Sequence, residues 1–314
     1  MSAVPFTVSV DLNLGNRIAP FLVETGQDVT VRKGAVPTEI LEPVEVSPAF
    51  SASKSQFLLK VPNGVRILVS DGATITYDGG KASDREIALF LLGSAWGALC
   101  YQRGLLPLHA SAILHQGSVH AFTGPSGAGK STLTAALAKC GRHFFTDDIL
   151  IIDPEAPGTG TICYSGQKDL KLWKDALVLT QAKKKLAIRD VEGFEKFFAA
   201  PANLSTESRG TLASLTILKN DATRLDRRLS TIEKIDGAKS IHELRNSVYR
   251  PRFAHAIWGK QKLFMSLAQL IKNVEVHEFN RTKVTAHFED SVSYMDAWIE
   301  RWRMASANGN ASED

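Results

Sequence analysis

Cysteine is scarce: the 314 residues hold only Cys100, Cys140 and Cys163. They form no C-x-x-C pair and three cannot all be bridged, so a disulfide-stapled fold is excluded and a reducing compartment is expected. No Cys and His stand at the paired spacing of a structural zinc site. Long apolar runs are missing too. The longest, from about Ile87 to Cys100, falls short of the ~20 residues that cross a bilayer, so no membrane partner is expected. Residues 1–20 lack a basic stretch followed by an apolar one, which predicts no signal peptide and a cytoplasmic location. Neither sign of charge dominates, since 37 Lys and Arg against 33 Asp and Glu leave +4. Such a balance provides no basic surface for nucleic acid, and no nucleic-acid partner is expected. There is no internal repeat. What remains, 44% apolar and 22% charged residues, is an ordinary globular balance, long enough for one large domain or a core with an annex.

Along the chain, Phe6, Val8, Val10, Leu12 and Leu14 alternate with polar residues, the period of a half-buried strand. A Pro- and Ser-rich stretch at 36–54 reads as loop. Phe57–Val61, Val65–Val69 and Thr74–Tyr77 are separated by Asn63-Gly64 and Asp71-Gly72, which predicts a three-stranded meander over 56–78. Ser83 with Glu86 forms a capping box, and two apolar stripes (Ile87, Leu91, Ala95, Leu99 and Ala88, Leu92, Trp96) predict a buried helix that Gly104 and Pro107 stop. Strand, hairpin, strand, helix and strand alternate over 105–153. Beyond lie an irregular stretch with a helix near 181–199, a strand at Ser214–Lys219 and a capped helix from Ser240 and Glu243. Helices at Leu263–Ile271 and Ser291–Met304 flank a strand at Val274–Phe279. The tail, 305–314, is expected to be disordered.

Gly124-Pro125-Ser126-Gly127-Ala128-Gly129-Lys130-Ser131 satisfies G-x-x-x-x-G-K-[ST] in full. A short strand, Ser118–Thr123, precedes it. Leu133, Ala136, Leu137 and Cys140 then line one helical face that Gly141 ends. Glycines let backbone N–H groups turn inward around phosphate oxygens, and the helix N-terminus adds its positive dipole. The stretch Gly124–Thr132 is the expected nucleotide-binding segment, for ATP with Mg²⁺. Lys130 reaches the β- and γ-phosphates and the Ser131 hydroxyl coordinates the metal. After Phe144, Phe145 and Thr146 come two adjacent carboxylates, Asp147 and Asp148. Beside a phosphate loop one can hold Mg²⁺ while the other accepts the proton of an attacking hydroxyl; alone, Asp-Asp would suit a solvated turn.

These residues resemble the catalytic domain of HPr kinase/phosphorylase, a family related in core architecture to phosphoenolpyruvate carboxykinase. The match covers about 105–153: His109 on a strand, the loop in its G-x-S-G-x-G-K-S form, and the Asp pair after one helix. The resemblance implies an α/β P-loop kinase core with residues 83–304 as the catalytic domain; residues 1–82, β-rich by their own patterning, form an annex unlike the family's usual N-terminal domain. It implies His109 and Lys130 as active-site groups, Asp148 as the catalytic base, and Ser131 and Asp147 as metal ligands. Val248-Tyr249-Arg250-Pro251-Arg252-Phe253-Ala254 resembles the family's V-R-P-G-R-x-x-A signature with residues missing, which carries over Arg250 to the transferring phosphate and Arg252 to the nucleotide. The family's Glu after the loop serine is Thr132 here, and its downstream metal-binding Glu is matched by Glu207 only in letters, within Glu207-Ser208-Arg209-Gly210. Leu108–Ala112, Lys171-Leu172-Trp173 and Tyr249–Arg252 resemble a branch of HPr-kinase-like proteins encoded with lasso-peptide biosynthesis, whose members phosphorylate a serine of the precursor peptide.

The reading that follows is an ATP-dependent serine kinase acting on a peptide or protein, with a lasso-peptide precursor as the expected partner and a homo-oligomer possible. A kinase of HPr, a kinase of a small hydroxyl metabolite and a nucleotide-binding regulator without transfer chemistry stay open. Among the remaining residues, Trp173 reads as a packed core aromatic, His115 and His120 as exposed or satisfied, and Lys183-Lys184-Lys185 as a solvated face.

Overall fold

The computed structural model describes residues 3–156, 160–189, 192–220, 230–282 and 284–309. Its N-terminal part is a sheet of β1 (Val8–Val10), β2 (Val29–Lys33), β3 (Glu45–Val46), β4 (Phe50–Ala52), β5 (Gln56–Lys60), β6 (Arg66–Ser70) and β7 (Thr74–Asp78), in the order β1-β2-β7-β6-β5-β4-β3. The expected meander is β5, β6 and β7, antiparallel throughout. Asp71 and Gly72 take the left-handed conformation its second turn requires, at φ 55° and 64°. The alternation from Phe6 to Leu14 keeps its burial but not its strand. Only Val8–Val10 pairs, and a 3₁₀ helix, Gly15–Phe21, follows. Asp11 turns the chain there, accepting hydrogen bonds from the Lys33 amide at 2.6 Å and the Tyr77 hydroxyl at 2.9 Å. The stretch 36–54, read as loop, contributes the short strands β3 and β4 at one edge of the sheet.

The buried helix is present as α1 (Asp84–Phe90) and α2 (Trp96–Gln102), joined through a π turn at Leu91–Ala95. The Ser83–Glu86 capping box opens it. Both apolar stripes are used. Trp96 packs against Phe6 and Phe21 of the N-terminal part, and Tyr101 donates to the Tyr249 carbonyl at 2.5 Å on the other side. One continuous apolar core consequently runs from Val4 through this helix to Val276.

The second sheet holds β8 (Leu106–Leu108), β9 (Ser111–His115), β10 (Ser118–Thr123), β11 (His143–Asp153), β12 (Thr161–Gln167), β16 (Arg209–Asn220), β17 (Thr231–Ile235) and β18 (Glu275–Arg281). Five of them, β10-β9-β11-β12-β16, close into a ring because β16 also pairs in parallel with β10. Helix α3 (Lys130–Lys139) follows β10 directly. A small sheet of β13 (Leu170–Trp173), β14 (Lys183–Ala187) and β15 (Lys196–Ala200), with α4 (Lys174–Thr180), lies over α3. The helix expected near 181–199 is thus replaced, among the described residues, by two strands. Gln181 ends α4 in the left-handed region, and Lys184 lies 3.8 Å over the Phe197 ring across the strand pair. Cross-strand contacts of this kind outweigh the helical propensity of Lys and Ala.

Helix α5 (Gly237–Ser247) precedes α6 (Pro251–Asn273), which starts twelve residues before the expected Leu263 and kinks at Gly259. Helix α7 (Phe288–Gly309) extends into the tail that was expected to be disordered from 305; 310–314 lie outside the described residues. No helix among the described residues is long and apolar enough to cross a membrane.

Candidate active site

The loop between β10 and α3 takes a shape only glycine permits. Gly124 has φ 136°, and a Cβ there would stand 2.8 Å from the Leu218 carbonyl. Gly129 has φ 86°, and a Cβ there would run into the Arg281 guanidinium. The backbone N–H groups of the first turn of α3 are left facing the concavity, a ready anion site. Lys130 folds over the loop, its Nζ donating to the carbonyls of Gly124 at 2.9 Å and Pro125 at 3.2 Å. Burial lowers its pKa, opposed by the charges of Asp147 and Asp148.

The Asp pair sits where β11 is irregular. Consecutive strand residues point to opposite faces, so a regular strand would separate two adjacent carboxylates. Here the register with β12 slips between Asp147 and Leu150, and Asp148 adopts φ 73°. Both carboxylates thereby line one cleft of about 210 Å³, together with His109, Lys130 and Ser131. A positive φ at a non-glycine residue costs of order 1–3 kcal/mol and concentrates at functional sites.

Within the cleft the two acids have different partners. Asp147 is buried and accepts from Ser131 Oγ at 2.8 Å, from the Lys171 amide at 2.8 Å and from Ser111 Oγ. Asp148 is held by Lys171 Nζ at 2.6 Å and by His109 Nδ1 at 3.3 Å from its carboxylate. Burial opposes the charge of Asp148, yet the Lys171 ammonium and His109 outweigh it and hold the carboxyl well below the usual range. The His109 amide donates to the Ser247 carbonyl at 2.7 Å, and Thr123 Oγ1 to the His109 carbonyl at 3.0 Å, which pins that residue between the phosphate loop and the end of α5.

Ser131 and Asp147 fit Mg²⁺. Both offer hard oxygen donors already 2.8 Å apart at the mouth of the loop. Mg²⁺ is commonly held by one or two carboxylates plus phosphates and water, not by an all-protein cage.

Other expected residues fall elsewhere. Ser126 and Thr132 line the cleft; Pro125 and Ala128 contribute loop carbonyls, to Lys130 and to Arg281. Arg250 caps α6 at φ 52°, exposed, with its guanidinium 5.7 Å over the Tyr249 ring, which itself lies 6.2 Å from the His109 ring. It stands beside the cleft without lining it. Arg252 is not brought to the nucleotide segment: it pairs with Glu45 at 2.5 Å and covers the Phe50 ring. Glu207 does not line the cleft, and its carbonyl instead accepts from Lys168. Trp173 is corrected from core to rim, being 46% exposed, in the cleft wall and 5.3 Å from the Phe194 ring. His120 is buried and satisfied by Ser214 at 2.9 Å, as expected.

Sequence reasoning gave no role to Lys171, Lys196 or Arg281. The first two line the cleft. Arg281 donates to the Ala128 carbonyl at 2.7 Å, and burial lowers its pKa to about 10. None stands at a diagnostic spacing; only the Lys171-Leu172-Trp173 resemblance touched one of them.

No family model and no curated protein matches the chain. Among solved structures it is similar to the HPr(Ser) kinase/phosphatase from Coxiella burnetii, at 11% identity and a TM-score of 0.33, covering 64% of this chain and 98% of that one.

Proposed function

We propose that the chain is an ATP-dependent kinase that transfers the γ-phosphoryl group to a serine hydroxyl of a peptide or protein. One observation carries this reading: the phosphate-loop lysine, the Ser131–Asp147 pair and Asp148 converge in a single cleft. In that role Lys130 exchanges the Gly124 and Pro125 carbonyls for phosphate oxygens. Ser131 and Asp147 hold Mg²⁺, which supplies neutralisation of charge on the triphosphate. The acceptor oxygen forms a bond to the γ-phosphorus as the bond to the β-phosphate oxygen breaks, and ADP leaves with the electron pair. Asp148 takes the hydroxyl proton. Its low basicity is no obstacle, because the transition state is loose and the hydroxyl loses its proton late. His109 and Lys171 keep that carboxylate ionised and aimed into the cleft.

The cleft mouth supports a peptide acceptor. Trp173, half-exposed beside Lys196, offers a flat apolar face with a cation over it at 5.7 Å. A flexible peptide can lay a side chain there while its hydroxyl enters. With the sequence resemblance, this favours a lasso-peptide precursor, phosphorylated at or near its C-terminal serine, over folded HPr. Mass spectrometry after incubation with ATP, Mg²⁺ and each acceptor tests the choice. One added phosphoryl on the peptide supports it, and addition to HPr alone contradicts it.

A further inference from the structure

The buried helix is irregular where Tyr249 meets it. Its π turn at Leu91–Ala95 and the glycines at 93 and 97 leave a slot, and the Tyr249 ring fills it. A Cβ at Gly97 would stand 2.8 Å from Tyr249 Cδ1, and one at Gly93 would stand 3.5 Å from the Tyr249 hydroxyl. The ring has little room to yield, since Tyr249 is 7% exposed. Its backbone is fixed as well. The amide donates to the Pro107 carbonyl at 3.0 Å, and the carbonyl accepts from the Tyr101 hydroxyl at 2.5 Å. Single π turns inside α-helices are frequent at functional sites.

The hydroxyl is tied to the charges of the site. Burial raises the Tyr249 pKa and the Asp148 carboxylate adds to the rise, while the Arg250 guanidinium, which donates to the hydroxyl, pulls it down. Arg250 is held at φ 52°, in the left-handed region, directly before Pro251. Proline pushes the residue before it toward extended backbone, and a non-glycine residue stays left-handed only where its surroundings hold it there. Although Arg250 is exposed, its guanidinium is turned back over the Tyr249 ring, 5.7 Å from the centroid. A long exposed side chain without such a hold samples many rotamers. The His109 ring lies 6.2 Å from that of Tyr249, so the arginine is parked one ring away from the contact between His109 and Asp148.

We infer, resting on the kinase reading above, that Tyr249 is a positioning residue for transfer: seated in the slot of the buried helix, it keeps the Arg250 guanidinium beside the cleft, where a planar cation can meet the charge of the γ-phosphoryl group. Tyr249 acts through Arg250, not on the nucleotide. Gly97 belongs to the same device, although no residue of α2 lines the cleft.

The test is a cycle of substitutions read by steady-state transfer from ATP to a serine-bearing peptide. Tyr249→Phe keeps the ring in its slot and removes only the hydroxyl. It should lower kcat about tenfold, the scale of one hydrogen bond to a charged group, with the KM for ATP within twofold of wild type. Arg250→Met should lower kcat at least as far, and adding Tyr249→Phe to it should cost nothing more. Gly97→Ala, which crowds the ring, should also lower kcat and should lose its effect in the Arg250→Met background. Losses from Tyr249→Phe and Arg250→Met that multiply overturn the inference, because Tyr249 would then act by another route. So does a wild-type kcat in either single variant, or a loss confined to the KM for ATP. Each of these leaves wild-type transfer, and with it the kinase reading, intact. No transfer by wild type to any acceptor defeats the kinase reading itself, and the role of Tyr249 falls with it.

Discussion

Asp147 and Asp148 are adjacent, yet one is surrounded by neutral donors and the other is held by the Lys171 ammonium and His109, and their substitutions should part accordingly. Asp147→Asn should weaken Mg²⁺-dependent ATP binding. Asp148→Asn should leave ATP affinity near wild type and remove transfer, since a proton acceptor matters only as the hydroxyl attacks. ATP titrations and single-turnover rates of both variants check this, and the reverse pattern would swap the roles. Lys171 gives a pH signature. The ammonium is the largest attraction holding the Asp148 carboxyl low against burial. Wild type should show no acid limb from this group above about pH 4, the ordinary carboxylate value. In Lys171→Met, burial then pushes the carboxyl up, and the transfer rate should fall as pH drops through the raised pKa. A profile parallel to wild type would show that Lys171 does not control Asp148. Residues in one local motif were legible in the sequence, because the loop demands glycines and a lysine at fixed spacing. Lys171, Lys196 and Arg281 were not, since they arrive from β13, β15 and β18, and only the packing of the small sheet and of β18 around the loop brings them to it.

At the level of elements, the phosphate loop depends on a conformation that side chains oppose. Gly129→Ala places a methyl at φ 86° against the Arg281 guanidinium, adding roughly 1–3 kcal/mol of backbone strain to a steric conflict. ATP affinity should drop at least about tenfold while the far-UV spectrum is kept; affinity within a factor of two would mean that the loop adapts. Turn chemistry and burial periodicity made the β5–β7 meander and the α1–α2 helix readable. The stretch 181–199 misled because its lysines and alanines favour a helix in isolation. The pairing of Lys184 with Phe197 and of Lys171 with Phe198 is tertiary, invisible to a local window. The slip in β11 was equally hidden, although it is what sets both carboxylates in one cleft.

Across the whole molecule, the β-rich N-terminal part and the phosphate-binding part share one apolar core. Phe6 and Phe21 pack tilted and edge-on against Trp96, and Phe50 and Phe57 do the same against Phe253 at the start of α6. Removal of residues 1–82 would expose these rings together, so the remainder should fail to give a cooperative urea transition; a sharp one would show an independent core. Composition indicated a core of this size, but not that both parts would share it. The central claim is phosphoryl transfer from ATP within the cleft. Its most direct measurement is the single-turnover transfer of labelled γ-phosphate to a serine-bearing peptide, by wild type and by Lys130→Ala at saturating ATP. Labelled peptide with wild type, and a rate at least about 10²-fold lower with the folded variant, is the expected result. Equal rates in the two proteins, or no labelled product from wild type with any peptide, protein or small hydroxyl acceptor, would contradict it.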